Sequence, residues 1–422
     1  MSTHHDPRTA EHTVRASAVN RHHSLRRSAF VFGPTSTPPA DTVTENLVTM
    51  AKAGPHTRIG LRPNLESGRW SYAPESLRHV VSTVADPVDD PLVLLDEVRG
   101  HEDDPIRVVL AGDYIAIDFD HGLGDAALLN SVADVILGVC DPADPATWQR
   151  FSSRIPALGI AAGALATDPR RLIGLARLLR PRAASTVPQP DPAPLSLVSD
   201  DPLPRPAALS HRIGAQCLDE VRAARDRVAD GVGIYSLITV ALVNALSEAG
   251  IALDEYVTAP FDARGYLPRG RSTLGNFSAG LMFPIPPGSS PAALQHAMTR
   301  STRIGQPVAN LALIELRSRL ARTSQRPPSA PATRISLLHS SIGHIPGSQE
   351  RFKWLDDDRA QVLAIADPPT ISGVTITSAF VCGGICLGVA YHRKTIAQQT
   401  LQSAMDRVES HLRMLVGLPA SR

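Results

Sequence analysis

The chain is 422 residues long, 43% hydrophobic and 20% charged, with a formal net charge of +1. This is ordinary globular composition, which excludes a polyelectrolyte that holds nucleic acid by bulk charge, and the length exceeds what one core usually supports, so two subdomains are expected. Four scattered cysteines, Cys140, Cys217, Cys382 and Cys386, are too few for a disulfide framework and point to reduced thiols in the cytoplasm. Cys382-Gly-Gly-Ile-Cys386 lies in a strand-like run without a second ligand pair, so it reads as two small buried residues on one face, and no metal is assigned.

In chain order, residues 1–27 are polar and histidine-rich, with no apolar run of signal-peptide length, and read as a flexible leader whose histidines are adventitious. Ser28 to Phe32 predicts a first strand, Asp41 to Lys52 a helix and Arg78 to Ala85 another strand. Pro91 to Val98, Ile106 to Leu110 and Tyr114 to Phe119 continue the strand pattern, the last two joined as a hairpin at Ala111-Gly112-Asp113. Pro145 to Leu179 reads as helical, ending in Arg170, Arg171, Arg177, Arg180 and Arg182. Its apolar stretch, Ile155 to Ala166, is too short to span a bilayer. Residues 181–207 are Pro-rich and mark a crossover between subdomains. Ile213 to Asp230 and Tyr235 to Ala249 are two helical patterns, followed by a strand over Tyr256 to Asp262. Thr323 to Ala332 is a Pro-rich surface loop.

The segment Tyr114-Ile-Ala-Ile-Asp-Phe-Asp-His-Gly-Leu-Gly-Asp-Ala carries the most chemistry. Alternation puts Ile115, Ile117, Phe119 and His121 on one strand face and Ala116, Asp118 and Asp120 on the other. Gly122 and Gly124 allow a sharp turn, and Asp125 is placed to cap a helix whose apolar face is Leu128, Leu129, Val132, Val135 and Ile136. On spacing alone, His121 is either a general base presented by a strained turn or a satisfied core histidine, and Asp125 is either catalytic or only a cap.

His121-Gly-Leu-Gly-Asp125 resembles the HxxxD core of the HHxxxDG motif found in chloramphenicol acetyltransferase, peptide-synthetase condensation domains, polyketide-associated acyltransferases and plant BAHD acyltransferases. Further segments resemble the same superfamily in the same order. Phe261-Asp-Ala-Arg264 followed by Leu274-Gly-Asn276-Phe is similar to its arginine strand and Gly-Asn element. Ile335-Ser-Leu-Leu-His-Ser340-Ser341-Ile-Gly343 is similar to its Ser-Asn-x-Gly strand. Ile376 to Tyr391 and Ala397 to Leu415 are similar to its last strand and closing helix. The resemblance covers roughly residues 28 to 416. Asp120 stands where relatives carry the first histidine, Ala126 replaces the usual glycine, and Ser341-Ile-Gly343 lacks the asparagine.

The resemblance implies an α/β fold of two chloramphenicol acetyltransferase-like subdomains, each a mixed sheet with flanking helices, forming a V with a tunnel between them. The expected division is 28–180 for the first, carrying the HxxxD motif, and 208–422 for the second. It implies His121 as the general base, Asp125 and Arg264 as an ion pair that keeps the turn in shape, and Ser340, Ser341 or Asn276 as an oxyanion or substrate contact. The implied activity is transfer of an acyl group from acyl-CoA, a co-substrate and not a resident cofactor, to a hydroxyl or amine of a small-molecule acceptor, in specialised metabolism. Two alternatives share the motif. One is a condensation-type enzyme that takes its donor from phosphopantetheine on an acyl or peptidyl carrier protein, which the arginines of 170–182 would meet. The other is a non-catalytic recruitment module, which the altered Asp120 and Ala126 would permit. No nucleic acid partner and no membrane span are expected.

Overall fold

The computed structural model describes residues 12–24, 26–64, 68–85, 90–99, 104–179, 205–229, 231–320, 334–344 and 354–420. The chain starts with a short strand, β1 (Thr13–Arg15), and a helix, α1 (Ala18–His23), capped by Ser17, whose hydroxyl accepts from the Asn20 amide. Both lie in the stretch expected as a flexible leader, and over 13–23 that expectation is corrected. Ala18, Val19 and Asn20 are buried, and the Ala18 amide donates to Glu315. The segment is anchored by polar groups, so its composition gave no sign of docking.

Next come β2 (Arg27–Gly33), α2 (Ala40–Lys52), β3 (Leu61–Arg62), β4 (Arg69–Tyr72) and β5 (Val81–Val84). They are followed by α3 (Pro91–Val98), β6 (Ile106–Ala111), β7 (Tyr114–Asp120) and α4 (Ala126–Ile136). Pro91–Val98, expected as a strand, is a helix: Asp90 accepts from the Leu92 amide and a proline occupies the first turn, both of which favour a helix start. The expected strand over 78–85 exists only from Val81, because Pro74–His79 forms a 3-10 turn. The helical stretch 145–179 is three helices, α5 (Pro145–Gln149), α6 (Ala157–Ala166) and α7 (Pro169–Leu179), with prolines at the breaks.

The second half runs β8 (Ala207–Ile213), α8 (Ala215–Val228), α9 (Ile234–Glu248), β9 (Leu253–Asp262), β10 (Ser278–Pro284), α10 (Pro291–Arg303) and α11 (Gln306–Leu320). It closes with β11 (Ile335–His344), β12 (Gln361–Ala366), β13 (Gly373–Val381), β14 (Gly384–Tyr391) and α12 (Gln398–Leu415). The single run expected over 376–391 is thus a hairpin. Cys382 sits in its turn with φ of 43° while Cys386 is buried in β14, so the two cysteines do not share a strand face as expected. Most of the crossover 181–207 and the loop 323–332 lie outside the described residues, and Ala207 already belongs to β8.

Two mixed sheets carry the fold, one ordered β12-β2-β7-β6-β5 and one ordered β10-β9-β11-β13-β14-β8, beside a small β1-β4-β3 sheet. In the first, β5 and β6 are parallel and the other pairs antiparallel; in the second, β11 runs parallel to both β9 and β13. The expected division at 28–180 and 208–422 is crossed by β12, which comes from the second half yet pairs with β2 in the first sheet. β12 also packs on the second sheet. Gly388 of β14 approaches it so closely that a Cβ there would lie 2.1 Å from the Ala364 carbonyl oxygen. Both faces of β7 are buried, with Ile115, Ile117 and Phe119 in one apolar cluster and Ala116 in another. The alternation read from the sequence is therefore real, but neither face meets water. The α9 helix is buried nearly all round, between the second sheet and α12, as its almost uninterrupted apolar sequence requires.

Candidate active site

His121 follows the last residue of β7, where the sheet hands the chain to α4. Its Nδ1 lies 3.0 Å from the Gly124 carbonyl oxygen. A carbonyl only accepts, so Nδ1 carries the hydrogen and the neutral ring keeps its lone pair on Nε2. Burial lowers the His121 pKa to about 4, with the charge of Arg26 adding to the effect, against the Gly124 bond and the carboxylates of Asp125 and Asp367. The imidazole is therefore neutral throughout the physiological range, which is the state a general base needs.

The turn that holds it is braced at each carbonyl. The His121 oxygen accepts from Asn276 Nδ2 at 2.7 Å, and the Gly122 oxygen accepts from Arg58 Nη2 at 3.1 Å and Asn276 Nδ2 at 3.4 Å. The Leu123 oxygen accepts from Arg58 Nε at 2.7 Å, and the Gly124 oxygen from His121 itself. Arg58 has φ of 76° and lies over the Trp70 ring, 5.4 Å from its centroid. Burial lowers its pKa to about 10, partly offset by Asp120, so it stays charged. Bonds from a buried cation to carbonyls are strong enough to hold a backbone in a left-handed conformation.

The two glycines are needed for space. Neither has a left-handed φ, so the expected role in permitting an unusual turn is corrected. A Cβ on Gly122 would sit 2.1 Å from Ser24 Oγ, and one on Gly124 would sit 2.3 Å from the Leu274 carbonyl oxygen. Asp120, in place of the motif's first histidine, clamps the turn from its own side. Its Oδ1 accepts from the Gly122 amide at 2.6 Å and from the Ser24 hydroxyl at 3.1 Å.

Asp125 gathers donors from α4 and from the segment that leads into β10. It caps α4 through the Ala127 amide at 3.1 Å. Arg264 grips it with two parallel bonds, Nη2 to Oδ1 at 2.8 Å and Nη1 to Oδ2 at 3.1 Å, while the Phe277 amide and the Ser278 hydroxyl reach Oδ2 at 3.0 and 3.1 Å. Both side chains are nearly buried, at 13% and 11% exposed for Arg264 and Asp125. Burial would lower the Arg264 pKa, but Asp125 and Asp262 outweigh it and raise it. Arg264 also donates to the Thr273 and Gly275 carbonyls, so one guanidinium joins the His121 turn to the loop between β9 and β10.

Asn276, expected as an oxyanion or substrate contact, is buried with its side-chain nitrogen on the His121 turn and its backbone amide on Asn20 Oδ1 at 3.1 Å. That geometry makes it a brace. Ser340 and Ser341 lie on β11, Ser341 exposed, and among the described residues neither is hydrogen-bonded to His121. The next residue, Ile342, packs against the cluster that contains Leu123 of the turn, so this end of β11 reaches the same core. Three contributors were missed from sequence: Arg58, Asn20, and His23, whose ring lies 4.7 Å from that of His121. Arg58 meets the turn's need for donors, Asn20 accepts from Asn276 and His23 packs on the ring, contacts that no local pattern reveals.

The overall fold recurs in solved structures. The trichothecene 15-O-acetyltransferase of Fusarium sporotrichioides aligns over 96% of this chain and 95% of its own, with a TM-score of 0.61 at 10% identity. The first condensation domain of the calcium-dependent antibiotic synthetase aligns over 98% of both chains, with a TM-score of 0.60 at 15% identity. The chain has the chloramphenicol acetyltransferase-like fold. Polyketide synthase associated protein 5 of Mycobacterium tuberculosis shares this fold over 96% of the chain, with a TM-score of 0.56 at 12% identity. No protein-family model and no curated protein matches the sequence itself. Among the described residues no helix is long and apolar enough to cross a membrane. The chloramphenicol acetyltransferase-like fold thus persists here with a turn that departs from the motif at Asp120 and Ala126.

Proposed function

We propose that the protein is an acyltransferase that moves an acyl group from a thioester, acyl-CoA in the first instance, to a hydroxyl or amine of a small molecule, with His121 as the base. The observation that carries this reading is the state of His121, neutral, with Nδ1 committed to the Gly124 carbonyl and Nε2 left to accept a proton. Nε2 takes the proton of the acceptor as its oxygen or nitrogen attacks the thioester carbonyl. The carbon–sulfur bond then breaks, and the imidazolium returns the proton to the departing thiolate. Atoms balance without an acyl-enzyme, and holding both substrates at one base supplies most of the acceleration. Ser340 and Ser341 are the candidate donors to the developing oxyanion from β11. Asp125 and Arg264 support the turn and take no part in proton transfer.

Thiol release from a panel of acyl-CoA thioesters, short to long, tests the reading in wild type and folded His121→Ala. Release that depends on His121 supports it, and release that survives His121→Ala removes the base assignment. A second reading draws support from the condensation-domain likeness along the whole chain and from Arg170 and Arg177, both exposed on α7. In it the donor hangs on the phosphopantetheine of an acidic carrier protein. Charge reversal at Arg170 and Arg177 then impairs transfer from a carrier and spares free CoA thioesters. A recruitment module would bind a partner without turnover and be indifferent to His121→Ala.

A further inference from the structure

His121 is touched from one side by a segment that nothing in the motif mentions. The His121 amide donates to the Arg26 carbonyl at 2.8 Å, and the rings of His23 and His121 meet edge to face, 4.7 Å between centroids with planes 62° apart. Arg26 Nη2 bonds to His23 Nδ1. A guanidinium has no acceptor, so His23 Nδ1 must accept, and neutral His23 carries its hydrogen on Nε2. The segment is itself pinned. Asn20 accepts from the Asn276 amide, Ser24 donates to Asp120, and the Ala18 amide and Arg21 bond to Glu315 and Ser318 of α11.

We propose that His23 and Arg26 are positioning residues of the His121 base: Arg26 fixes one tautomer of His23, and the His23 ring, packed on His121, fixes the plane in which Nε2 presents its lone pair. This rests on the acyltransferase reading for its kinetic consequence, but the tautomer lock can be measured without turnover. Aromatic edge-to-face contact is specific in geometry, and a misplaced reacting group costs rate more than affinity. The groups facing His121 are Arg26, His23 and the Gly124 carbonyl, with Asp125 and Asp367 acting through charge; those facing His23 are Arg26, His22 and His121.

The test uses full-length protein with ¹⁵N-labelled histidine, together with His23→Ala, His23→Phe and Arg26→Gln, each checked for folding by circular dichroism. Nitrogen shifts in wild type should report an Nδ1–H His121 and an Nε2–H His23. In Arg26→Gln the His23 tautomer mixes and the His121 titration moves upward. In acyl-CoA turnover, His23→Ala should lower kcat about ten- to a hundred-fold with KM within about two-fold, and His23→Phe, which keeps a ring, should recover much of the loss. Unchanged tautomers and titration in Arg26→Gln, or unchanged kcat in His23→Ala, would overturn the proposal. Failure of the acyltransferase reading looks different: wild type and His121→Ala would both be inert, while the nitrogen shifts still decide the tautomer lock.

Discussion

Removing the Asp125 carboxylate is the most demanding perturbation of this site. In Asp125→Ala the Arg264 guanidinium, 13% exposed, loses both of its bonds to that carboxylate and keeps only Asp262 and the Thr273 and Gly275 carbonyls. The α4 cap, the Phe277 amide and the Ser278 hydroxyl lose their acceptor as well. Stranding one partner of a buried, hydrogen-bonded ion pair costs about 3–5 kcal/mol. Unfolding entropy near the midpoint is about 2.1 cal/mol/K per residue, which for this chain makes about 0.9 kcal/mol/K. The expected fall in Tm is therefore about 3–6 °C, followed by scanning calorimetry or intrinsic fluorescence. Arg264→Ala should cost a similar amount, and the double variant should be less destabilised than the sum, because neither charge is then left alone. An Asp125→Ala protein that melts with wild type yet is inactive would refute the reasoning and assign the carboxylate to the chemistry.

Three further outcomes follow from the same geometry. Because burial depresses the His121 pKa to about 4, kcat/KM should stay flat from pH 8 to about 5, where an ordinary histidine would be mostly protonated, and fall only below that; an acid limb near pH 6.5 in a pH–rate profile would contradict it. Gly124→Ala forces the Leu274 carbonyl or Leu128 to move, so a loss of about 1–3 kcal/mol in thermal or urea unfolding should accompany a lower kcat, since the Gly124 carbonyl orients His121. Stability should also fall as pH drops from about 6.5 towards 4. His23, His121 and His339 resist protonation when folded, His339 down to about pH 3 through burial, whereas the unfolded chain takes up protons near 6.5. His56 and His211, also lowered by burial, add to this, while Asp118, raised to about 6 by burial, and Asp254, also raised by burial, work in the opposite sense as two groups against five. A Tm that rises from pH 7 to pH 5 would refute this balance.

Much of the frame was legible in the chain. The strand ending before His121, the capping Asp125, the apolar face of α4 and its partner Arg264 were all readable, because periodicity, capping and a motif in order are local properties of sequence. The Asp125–Arg264 pair formed as expected across 139 positions. What escaped was whatever depends on distant donors. Arg58 looked like one arginine among many, Asn276 like a substrate contact and residues 13–23 like a tail, until folding brought Arg58 and Asn276 to the turn's carbonyls, Asn20 to Asn276 and His23 to the His121 ring. The glycines were visible but their reason was not, since backbone freedom and lack of room leave the same letter in the sequence. Pro91–Val98 shows the converse, an apolar run that strand and helix explain equally well until its cap is seen. The sequence by itself determined most of the elements, the place of His121 at the end of a strand and the pairing of Asp125 with Arg264. Only the tertiary structure decided which nitrogen of His121 is left to act, because a tautomer is set by the partner of the other nitrogen, and that partner is placed by the brace around the turn.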